Sequence, residues 1–394
     1  MAIDISQMPK LGFGMMRLPK ANGEIDLSAV CAMVDDCMRA GMNYFDTAYI
    51  YHGGESENIV RQAVVERYPR ENYMLADKLP QWVMKDAADR DRIFSDQLRK
   101  LGVGYLDVYL LHDVHDGASY ENYLKYDCFN WLANVKAQGR AKHIGFSYHG
   151  TPELLDQILS AHPEIEIVQM QLNYADWDDP TVQAARVHEV LCRHNLPIIV
   201  MEPVKGGNLA TLVDEEAQML QAITPDASIA SWALRFAASQ KNVVTVLSGM
   251  STSVQVQDNL RTLGNFKPLN AEETTAIERV RAHMKTIPTI ACTGCRYCTD
   301  GCPQGIDIPE IFKCVNRARR FGGMDAPRAA YAQLVRQGAR ATDCIGCGQC
   351  QSVCPQHLPV IELLKHLRLN PKRLHVVWEH DLVRYLCLGC AGCL

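Results

Sequence analysis

Short apolar runs alternate with amphipathic stretches from residue 11 to about 265. The runs that predict strands are 10–15, 42–46, 73–78, 105–112, 141–147, 165–171, 196–202 and 242–248. Between them, apolar residues recur every three or four positions, as in 27–41 and 89–102, which is typical of helices packed on a sheet. Eight strands separated by helices predict an α/β fold, specifically a parallel TIM (β/α)8 barrel. No G-x-G-x-x-G follows an early strand, which disfavours an open dinucleotide-binding sheet.

The pattern changes after about residue 284. Two helical segments, 308–321 and 326–337, join blocks that are rich in cysteine, and Pro288 interrupts the helical pattern that precedes them. The sequence therefore predicts two domains. The barrel is expected at 1–283, and a smaller, mainly helical domain at 284–394.

Composition narrows the class of protein. The chain has 394 residues, a net charge of -5 and no long basic run, so nucleic acid is not an expected partner. It contains no apolar stretch of about eighteen residues, which argues against a membrane span, and its start does not resemble a secretory signal. We expect a cytoplasmic protein. Of its 16 cysteines, 12 fall between 292 and 393, and such spacing in a reducing compartment indicates metal or clusters rather than disulfides.

Four residues with catalytic potential lie at or after the ends of the second, third and fourth predicted strands: Asp46, Tyr51, Lys78 and His112. Working residues of such barrels lie at the carboxyl ends of strands. A lysine ammonium, held by an aspartate, would ease proton loss from a nearby phenol. A histidine could orient a carbonyl oxygen, so the set would form a proton donor for a carbonyl that receives a hydride.

Each of these residues also has an ordinary structural explanation. Tyr51 could be a packing residue at the rim, Lys78 a solvated charge, Asp46 a helix cap and His112 a core histidine. The coincidence of four suitable residue types at neighbouring strand ends favours the catalytic interpretation.

The sequence resembles the aldo-keto reductases over about residues 10 to 262. The resemblance lies in FDTAYIYHGGESENIVRQAV (45–64), YMLADKLP, YLLHD, IGFS, VQMQLNY and SGMSTSVQVQDN. It implies a barrel that reduces carbonyls with NAD(P)H, and a catalytic tetrad of Asp46, Tyr51, Lys78 and His112.

The resemblance also implies a nucleotide site, with departures from the usual residues. The residues aligned with nucleotide contacts are Ser147, Gln169, Met201, Gly249, Gln255 and Asn259. Tyr148 stands where an asparagine is usual, and Met201 where a tyrosine stacks on the nicotinamide. Gly249 and Gln255 replace a lysine and an arginine that grip the 2′-phosphate of NADP, so the cofactor is expected to be NADP or NAD with weak preference. A barrel that has lost nucleotide binding is the alternative.

The cysteine blocks have the most specific pattern in the chain. CTGCRYCTDGCP (292–303) and CIGCGQCQSVCP (344–355) both read C-x2-C-x2-C-x3-C-P, the bacterial ferredoxin pattern, in which the fourth cysteine binds the other cluster. This predicts two [4Fe–4S] clusters. The first would be held by Cys292, Cys295, Cys298 and Cys354. The second would be held by Cys302, Cys344, Cys347 and Cys350. Zinc is the weaker alternative.

The long gap between the motifs resembles the two-cluster ferredoxin modules that are fused to a subgroup of aldo-keto reductases. Cys314, inside that gap, is expected to be a buried thiol. Cys387, Cys390 and Cys393 repeat the C-x2-C-x2-C spacing without a fourth cysteine, which leaves two alternatives: incidental thiols in a tail, or a third metal site.

Two hypotheses for function follow. The first is an oxidoreductase that acts on a small carbonyl or alcohol and exchanges electrons with a redox partner protein through the clusters. A hydride carries two electrons and each cluster passes one, yet no flavin fingerprint is visible. The second is an electron-transfer or complex-assembly subunit whose barrel is a docking scaffold.

Overall fold

The computed structural model of the chain describes residues 5–323 and 325–367. Its strands are β1 Leu11–Gly14, β2 Lys20–Ala21, β3 Glu24–Ile25, β4 Tyr44–Asp46, β5 Met74–Pro80, β6 Leu106–Val114, β7 Ala141–Tyr148, β8 Ile167–Gln171, β9 Ile198–Met201 and β10 Val243–Ser248. Its helices are α1 Leu27–Arg39, α2 Ser56–Val60, α3 Ala88–Leu101, α4 Gly117–Lys125, α5 Cys128–Ala137, α6 Pro152–Ala161, α7 Ala184–Arg193, α8 Asp214–Gln221, α9 Ile229–Ala238, α10 Ser253–Gly264, α11 Ala271–Met284, α12 Tyr297–Asp300, α13 Ile308–Phe321, α14 Asp325–Gln337, α15 Gln349–Ser352 and α16 Val360–His366.

Eight of the strands close into a parallel barrel in the order β1-β10-β9-β8-β7-β6-β5-β4. The closing pair is β1 with β4, in which Gly12 pairs with Tyr44 and Gly14 with Asp46. Strands β5 and β6 are buried along their whole length, as expected where helices cover a parallel sheet. The predicted TIM barrel is confirmed, and each of the eight strand candidates corresponds to one of its strands.

Local sequence signals explain where the helices begin and end. The Asp26 side chain accepts a hydrogen bond from the Ala29 backbone N–H and caps α1, and Thr151 caps α6 in the same way before Pro152. Gly102 ends α3 with a left-handed φ of 72°, which glycine adopts without a steric penalty. These signals place α1 and α3 within two residues of the predicted stretches.

The chain divides into two compact units. One contains the chain up to Lys205 together with Leu220–Ile277 and includes the barrel strands. The other contains Gly206–Met219 and the chain from Glu278 onward. The segment 206–219, which connects β9 to α9 in sequence, therefore groups with the cysteine-rich residues. The predicted domain boundary at 284 stays a prediction.

The second unit is built on helices, as predicted for a small cysteine-rich domain. Helices α13 and α14 coincide with the expected segments within one residue. Its apolar core includes Ile306, Ile311, Phe312, Tyr331 and Leu364, and several cysteines pack against that core. In the described part of the chain, no helix is both long and apolar enough to cross a bilayer.

Candidate functional site

The four tetrad residues are presented by three consecutive strands of the barrel. Asp46 is the last residue of β4, Lys78 lies in the second half of β5, and His112 lies in the second half of β6. Tyr51 begins the 3-10 turn Tyr51–Gly54 that follows β4. The fold thus brings the side chains to the carboxyl ends of the strands, where the catalytic residues of such barrels lie.

Lys78 and Asp46 form a buried ion pair. The Lys78 Nζ lies 2.5 Å from Asp46 Oδ1 and donates a second hydrogen bond of 2.8 Å to the Thr47 carbonyl oxygen. Burial lowers the pKa of Lys78, but the negative charge of Asp46 and the proximity of Tyr51 outweigh this and raise it. Burial raises the pKa of Asp46 against the opposing effects of Lys78 and Gln169. The lysine therefore keeps its ammonium charge at neutral pH.

Tyr51 and His112 flank this ion pair. The Lys78 Nζ lies 5.2 Å from the centroid of the Tyr51 ring. The Tyr51 and His112 rings meet edge to face, with centroids 6.0 Å apart. Burial, assisted by the positive charge of Lys78, lowers the pKa of His112 to about 3. His112 is therefore a neutral imidazole, which can donate one ring N–H to a carbonyl oxygen.

Of the predicted nucleotide contacts, Gln169 is hydrogen-bonded to the tetrad and Ser147 to the residue that follows His112. The Gln169 side chain donates to Asp46 Oδ2 at 3.1 Å. Ser147 Oγ accepts a hydrogen bond of 2.7 Å from the Asp113 backbone N–H, next to His112. Met201 ends β9, where it pairs with Gln171 of β8. These three residues lie on adjacent strands at the same end of the barrel as the tetrad.

The remaining predicted nucleotide residues lie around the end of β10 and the start of α10. Asn259 is buried and donates to Ser248 Oγ at 2.9 Å, and exposed Gln255 accepts a hydrogen bond of 2.7 Å from the Ser251 backbone N–H. Gly249 lies against the Arg17 side chain, because a Cβ on Gly249 would be 3.1 Å from Arg17 Cδ. The glycine leaves room for the arginine.

Sequence reasoning missed Arg17 and Trp82. Arg17 forms an ion pair of 3.4 Å with Glu202, and it lies just after β1, a position with no strong local signal. Trp82 is 40% exposed, and its ring centroid lies 5.2 Å from that of His112. Its place four residues after Lys78, beyond a strand end, was a signal that could have identified it.

The second unit contains two cavities that are lined by cysteines from both motifs. The lining of one includes Cys292, Cys295, Cys298 and Cys354. Burial raises the pKa of Cys298, and the other three cysteines raise it further, as expected of thiols that face one cavity. The fourth cysteine of the second motif thus lies with the first three of the first motif.

The other cavity shows the reciprocal arrangement. Its lining includes Cys302, Cys344, Cys347 and Cys350. Burial raises the pKa of Cys350, with further effects from Cys344, Cys347 and Cys302. Soft thiolates from crossed motifs around an apolar cavity fit the chemistry of an iron–sulfur cluster. Cys314 is buried, as expected, whereas Cys387, Cys390 and Cys393 lie outside the described residues.

Segment 206–219 lies against the first cysteine motif. The Asn208 side chain donates a hydrogen bond of 3.2 Å to the Cys292 carbonyl oxygen. Glu216, which is buried in the same segment, forms an ion pair with Arg320 of α13. Its Oε1 lies 3.0 Å from His283 Nδ1. The second unit is therefore completed by residues that precede it by about seventy positions.

Comparisons with known proteins agree with both parts of the chain. The aldo/keto reductase family matches residues 10–282, and the 4Fe-4S dicluster domain matches residues 291–359. L-Galactose dehydrogenase of Arabidopsis thaliana is 23% identical over 286 residues, which cover 68% of this chain and 88% of the relative. The NADH-specific methylglyoxal reductase of Escherichia coli is 22% identical over 324 residues, which cover 70% of this chain and 95% of the relative.

Solved structures show the same likeness. The holo form of an aldo-keto reductase from Bacillus halodurans has 25% identity and a TM-score of 0.56, and the match covers 69% of this chain and 91% of that one. An aldo-keto reductase from Klebsiella pneumoniae in complex with NADPH has 21% identity and a TM-score of 0.57. The match covers 70% of this chain and 91% of that one. The chain belongs to the aldo/keto reductase family of oxidoreductases, and a 4Fe-4S dicluster domain follows its barrel in the sequence.

Proposed function

We propose that this protein interconverts a small-molecule carbonyl and its alcohol with NADP(H) or NAD(H), and that it exchanges electrons with a redox partner through two [4Fe–4S] clusters. The observation that carries the first part is the convergence of Asp46, Tyr51, Lys78 and His112 around one buried ion pair. The density of closely spaced cysteines favours a reducing compartment, the cytoplasm.

Each tetrad residue has a distinct proposed role. Tyr51 donates a proton to the carbonyl oxygen, because the nearby Lys78 ammonium stabilises the phenolate that remains. Asp46 holds Lys78 in place and keeps it charged. Neutral His112 donates a hydrogen bond to the same oxygen and orients the carbonyl. When bound, the reduced nicotinamide supplies the hydride.

The proposed nucleotide contacts are Ser147, Gln169, Met201, Gly249, Gln255 and Asn259. Ser147 and Gln169 support the proposal because Gln169 is hydrogen-bonded to Asp46 and Ser147 to the backbone of Asp113, next to His112. Similar proteins include one named as NADH-specific and one solved with NADPH, so the choice between the nucleotides is not fixed by family.

The proposed clusters are held by crossed cysteine sets. Cys292, Cys295, Cys298 and Cys354 would hold the first, and Cys302, Cys344, Cys347 and Cys350 the second. The two cysteine-lined cavities support this assignment. The hydride passes directly between the nicotinamide and the carbonyl, so that reaction balances without the clusters. Each cluster passes single electrons, so the clusters would carry a separate exchange with a redox partner protein.

The experiment uses the full chain, purified anaerobically with its clusters. Consumption of NADPH or NADH would be followed with a panel of aldehydes, hydroxyaldehydes and quinones. Tyr51→Phe should lower turnover by about a hundredfold to ten-thousandfold, the usual contribution of general acid catalysis. Tyr49→Phe is the matched control, since Tyr49 lies against Lys100 rather than Lys78.

Two results would contradict the proposal. Turnover of Tyr51→Phe equal to that of Tyr49→Phe would remove Tyr51 from the mechanism. Electron exchange through the clusters, with no consumption of either nucleotide by any carbonyl, would favour the alternative in which the barrel is a docking scaffold.

A further inference from the structure

Two buried carboxyl groups, those of Asp77 and Glu57, lie close in sequence to the proposed tetrad residues Lys78 and Tyr51. Asp77 precedes Lys78, and because side chains alternate along a strand, Asp77 points away from the face that carries Lys78. Glu57 lies in α2. Both residues are 0% exposed. Nothing in the proposed reaction uses either group, and two acidic side chains without solvent need a physical explanation.

Hydrogen bonding accounts for two of their four oxygens, and it would account for all four if the two groups shared a proton. Asp77 Oδ1 accepts a hydrogen bond of 2.7 Å from the Lys78 backbone N–H, and Glu57 Oε2 accepts one of 2.9 Å from Lys100 Nζ. Within the described part of the chain, Asp77 Oδ2 and Glu57 Oε1 are buried and have no hydrogen-bond partner. The two carboxyl groups act on each other, and one proton shared between these two oxygens would give both of them a partner. An ionised carboxylate only accepts, so such a bond requires one of the two groups to be protonated.

The surrounding charges place that proton on Asp77. Glu57 is neutralised by the Lys100 ammonium, which also faces Asp96 on α3. Asp77 is faced by the Glu57 carboxylate from α2, by the charge of Lys78 on its own strand and by Tyr109 from β6. Burial, together with the Glu57 carboxylate, raises the pKa of Asp77 well above its ordinary value.

The same network reaches the turn that carries Tyr51. Lys100 Nζ, besides binding Glu57, donates a hydrogen bond of 3.2 Å to the Gly54 carbonyl oxygen. Gly54 ends the turn Tyr51–Gly54, in which His52 and Gly53 have left-handed backbone angles. At strand β5, the Gln97 side chain donates a hydrogen bond of 2.9 Å to the Lys78 carbonyl oxygen. The network therefore joins the backbone beside Tyr51 to the backbone of Lys78.

We propose that Asp77 is a positioning residue: it carries a proton at neutral pH, donates a hydrogen bond to Glu57, and so holds the Tyr51 turn against the strand of Lys78. The proposal rests on the roles proposed for Tyr51 and Lys78. Loss of the proton would place two adjacent negative charges in a dry site and would push α2 and its turn away from β5. A displacement of about 1 Å at a reacting group can cost on the order of a hundredfold in rate.

Three substitutions separate the hydrogen bond from the charge. Asp77→Asn keeps both contacts, since the amide donates to Glu57 and accepts from the Lys78 N–H. Asp77→Val removes the link without adding volume. Glu57→Gln supplies an amide donor, so that Asp77 can ionise. We expect kcat within about twofold of wild type for Asp77→Asn, and at least about tenfold lower for Asp77→Val with KM within about threefold.

Two readouts do not depend on turnover. The infrared spectrum of the holoprotein at neutral pH should contain a carboxylic-acid C=O band that disappears in Asp77→Asn and in Glu57→Gln. Asp107→Asn is the matched control, because that buried carboxyl faces Arg70 and Lys142, and it should leave the band in place. The carbon resonances of the Tyr51 ring, assigned with Tyr51→Phe, should be unchanged in Asp77→Asn and displaced in Asp77→Val.

Two results would overturn the proposal, and a third would separate it from the catalytic role proposed for Tyr51. Retention of the infrared band in Asp77→Asn would place the proton elsewhere. A wild-type kcat and an unmoved Tyr51 resonance in Asp77→Val would show that the network does not position the tyrosine. If Tyr51→Phe keeps full turnover while Asp77→Val still displaces the Tyr51 resonance, the proposed catalytic role fails and the positioning role stands.

Discussion

Gly206 and Thr293 approach each other so closely that no other residue fits at position 206. A Cβ on Gly206 would lie 1.9 Å from the Thr293 carbonyl oxygen, and Gly206 has a left-handed φ of 64°. Thr293 directly follows Cys292, whose carbonyl oxygen accepts the hydrogen bond from Asn208. A segment that leaves the seventh barrel strand is therefore held against the backbone of the first cysteine motif. The contact makes the first motif depend on residues outside the cysteine-rich sequence.

Gly206→Ala should selectively damage the first cluster. The backbone must move to relieve the contact, and it should take Thr293 and Cys292 with it, so iron should fall from about eight toward about four per chain. Gly207→Ala is the matched control: Gly207 also has a left-handed φ, of 96°, but nothing lies within 4 Å of its Cβ position. That variant should keep its iron and lose about 1–2 kcal/mol of stability from backbone strain. Equal iron in both variants would contradict the expectation.

His112 and His115 should affect stability with opposite dependence on pH. The pKa of His112 is lowered by burial and by Lys78 to about 3, below the value of about 6.5 in an unfolded chain. Its contribution is therefore present above pH 6.5 and is lost as the pH falls from 6.5 toward 3. Burial lowers the pKa of His115, but the Asp113 carboxylate at 3.2 Å outweighs it and raises the pKa to about 9. That contribution is present below pH 6.5 and is lost as the pH rises through 9.

The check is hydrogen exchange of the barrel segments in the holoprotein between pH 5 and pH 9. At pH 5, about 1.5 pH units below the unfolded pKa of histidine, His112 should cost about 2 kcal/mol relative to pH 8, and His112→Gln should abolish that cost. His115→Gln should instead abolish the loss that wild type shows above pH 7. The same pH dependence in both variants would show that the surroundings assigned to the two rings are wrong.

Nucleotide preference should be weak and should be adjustable at one position. Gly249 and exposed Gln255 offer no charge to a 2′-phosphate, so NADPH should not be favoured over NADH by more than about a hundredfold, near 3 kcal/mol. Gln255→Arg should raise the preference for NADPH about tenfold, because arginine binds phosphate in a fork geometry. Gln257→Arg, on the same helix but directed at Asp36, is the control. The measurement is the dissociation constants of NADPH and NADH for the wild-type protein and both variants.

A strong preference for NADPH in the wild-type protein would contradict this expectation. In that case Arg17 would be the residue to examine, since its side chain lies against Gly249. Arg17→Gln would then weaken NADPH binding far more than NADH binding.

The barrel and the positions of the four proposed tetrad residues were predictable because both depend on short-range patterns. Apolar runs of strand length located β4, β5 and β6, and the rule that barrel chemistry lies at strand ends selected Asp46, Lys78 and His112. The ion pair between Asp46 and Lys78, 32 positions apart, needed no further information once adjacent strands were assigned.

Other features had no such local signal. The proposed hydrogen bond between Asp77 and Glu57 would join a strand to a short helix across positions with no shared periodicity, and an acidic residue in a strand predicts exposure rather than burial. The grouping of 206–219 with the cysteine motifs depends on a backbone contact in irregular chain. Such contacts follow from how elements pack, and the sequence pattern does not encode them.

The crossed arrangement of the cysteines gives the last prediction. Cys354 closes the second motif in sequence but lines the cavity of Cys292, Cys295 and Cys298. Anaerobic wild-type protein should contain about eight iron and eight sulfide per chain. Cys354→Ala should disturb the cluster whose other ligands lie more than fifty residues earlier, and Cys302→Ala should disturb the cluster of the second motif. EPR of the reduced protein should lose the same signal in Cys354→Ala as in Cys295→Ala, and a different signal in Cys302→Ala.

Cys314→Ala is the matched control, because Cys314 is a buried cysteine of the same unit that lines neither cavity. Zinc without sulfide in a colourless preparation would contradict the cluster assignment, since zinc takes four thiolates at one ion. About four iron would mean that one motif is not loaded. About twelve would assign a third site to Cys387, Cys390 and Cys393. If Cys302→Ala instead removed the signal that Cys295→Ala removes, each motif would bind its own cluster, and thiolate ligation would stabilise the motifs separately rather than tie them into one folded unit.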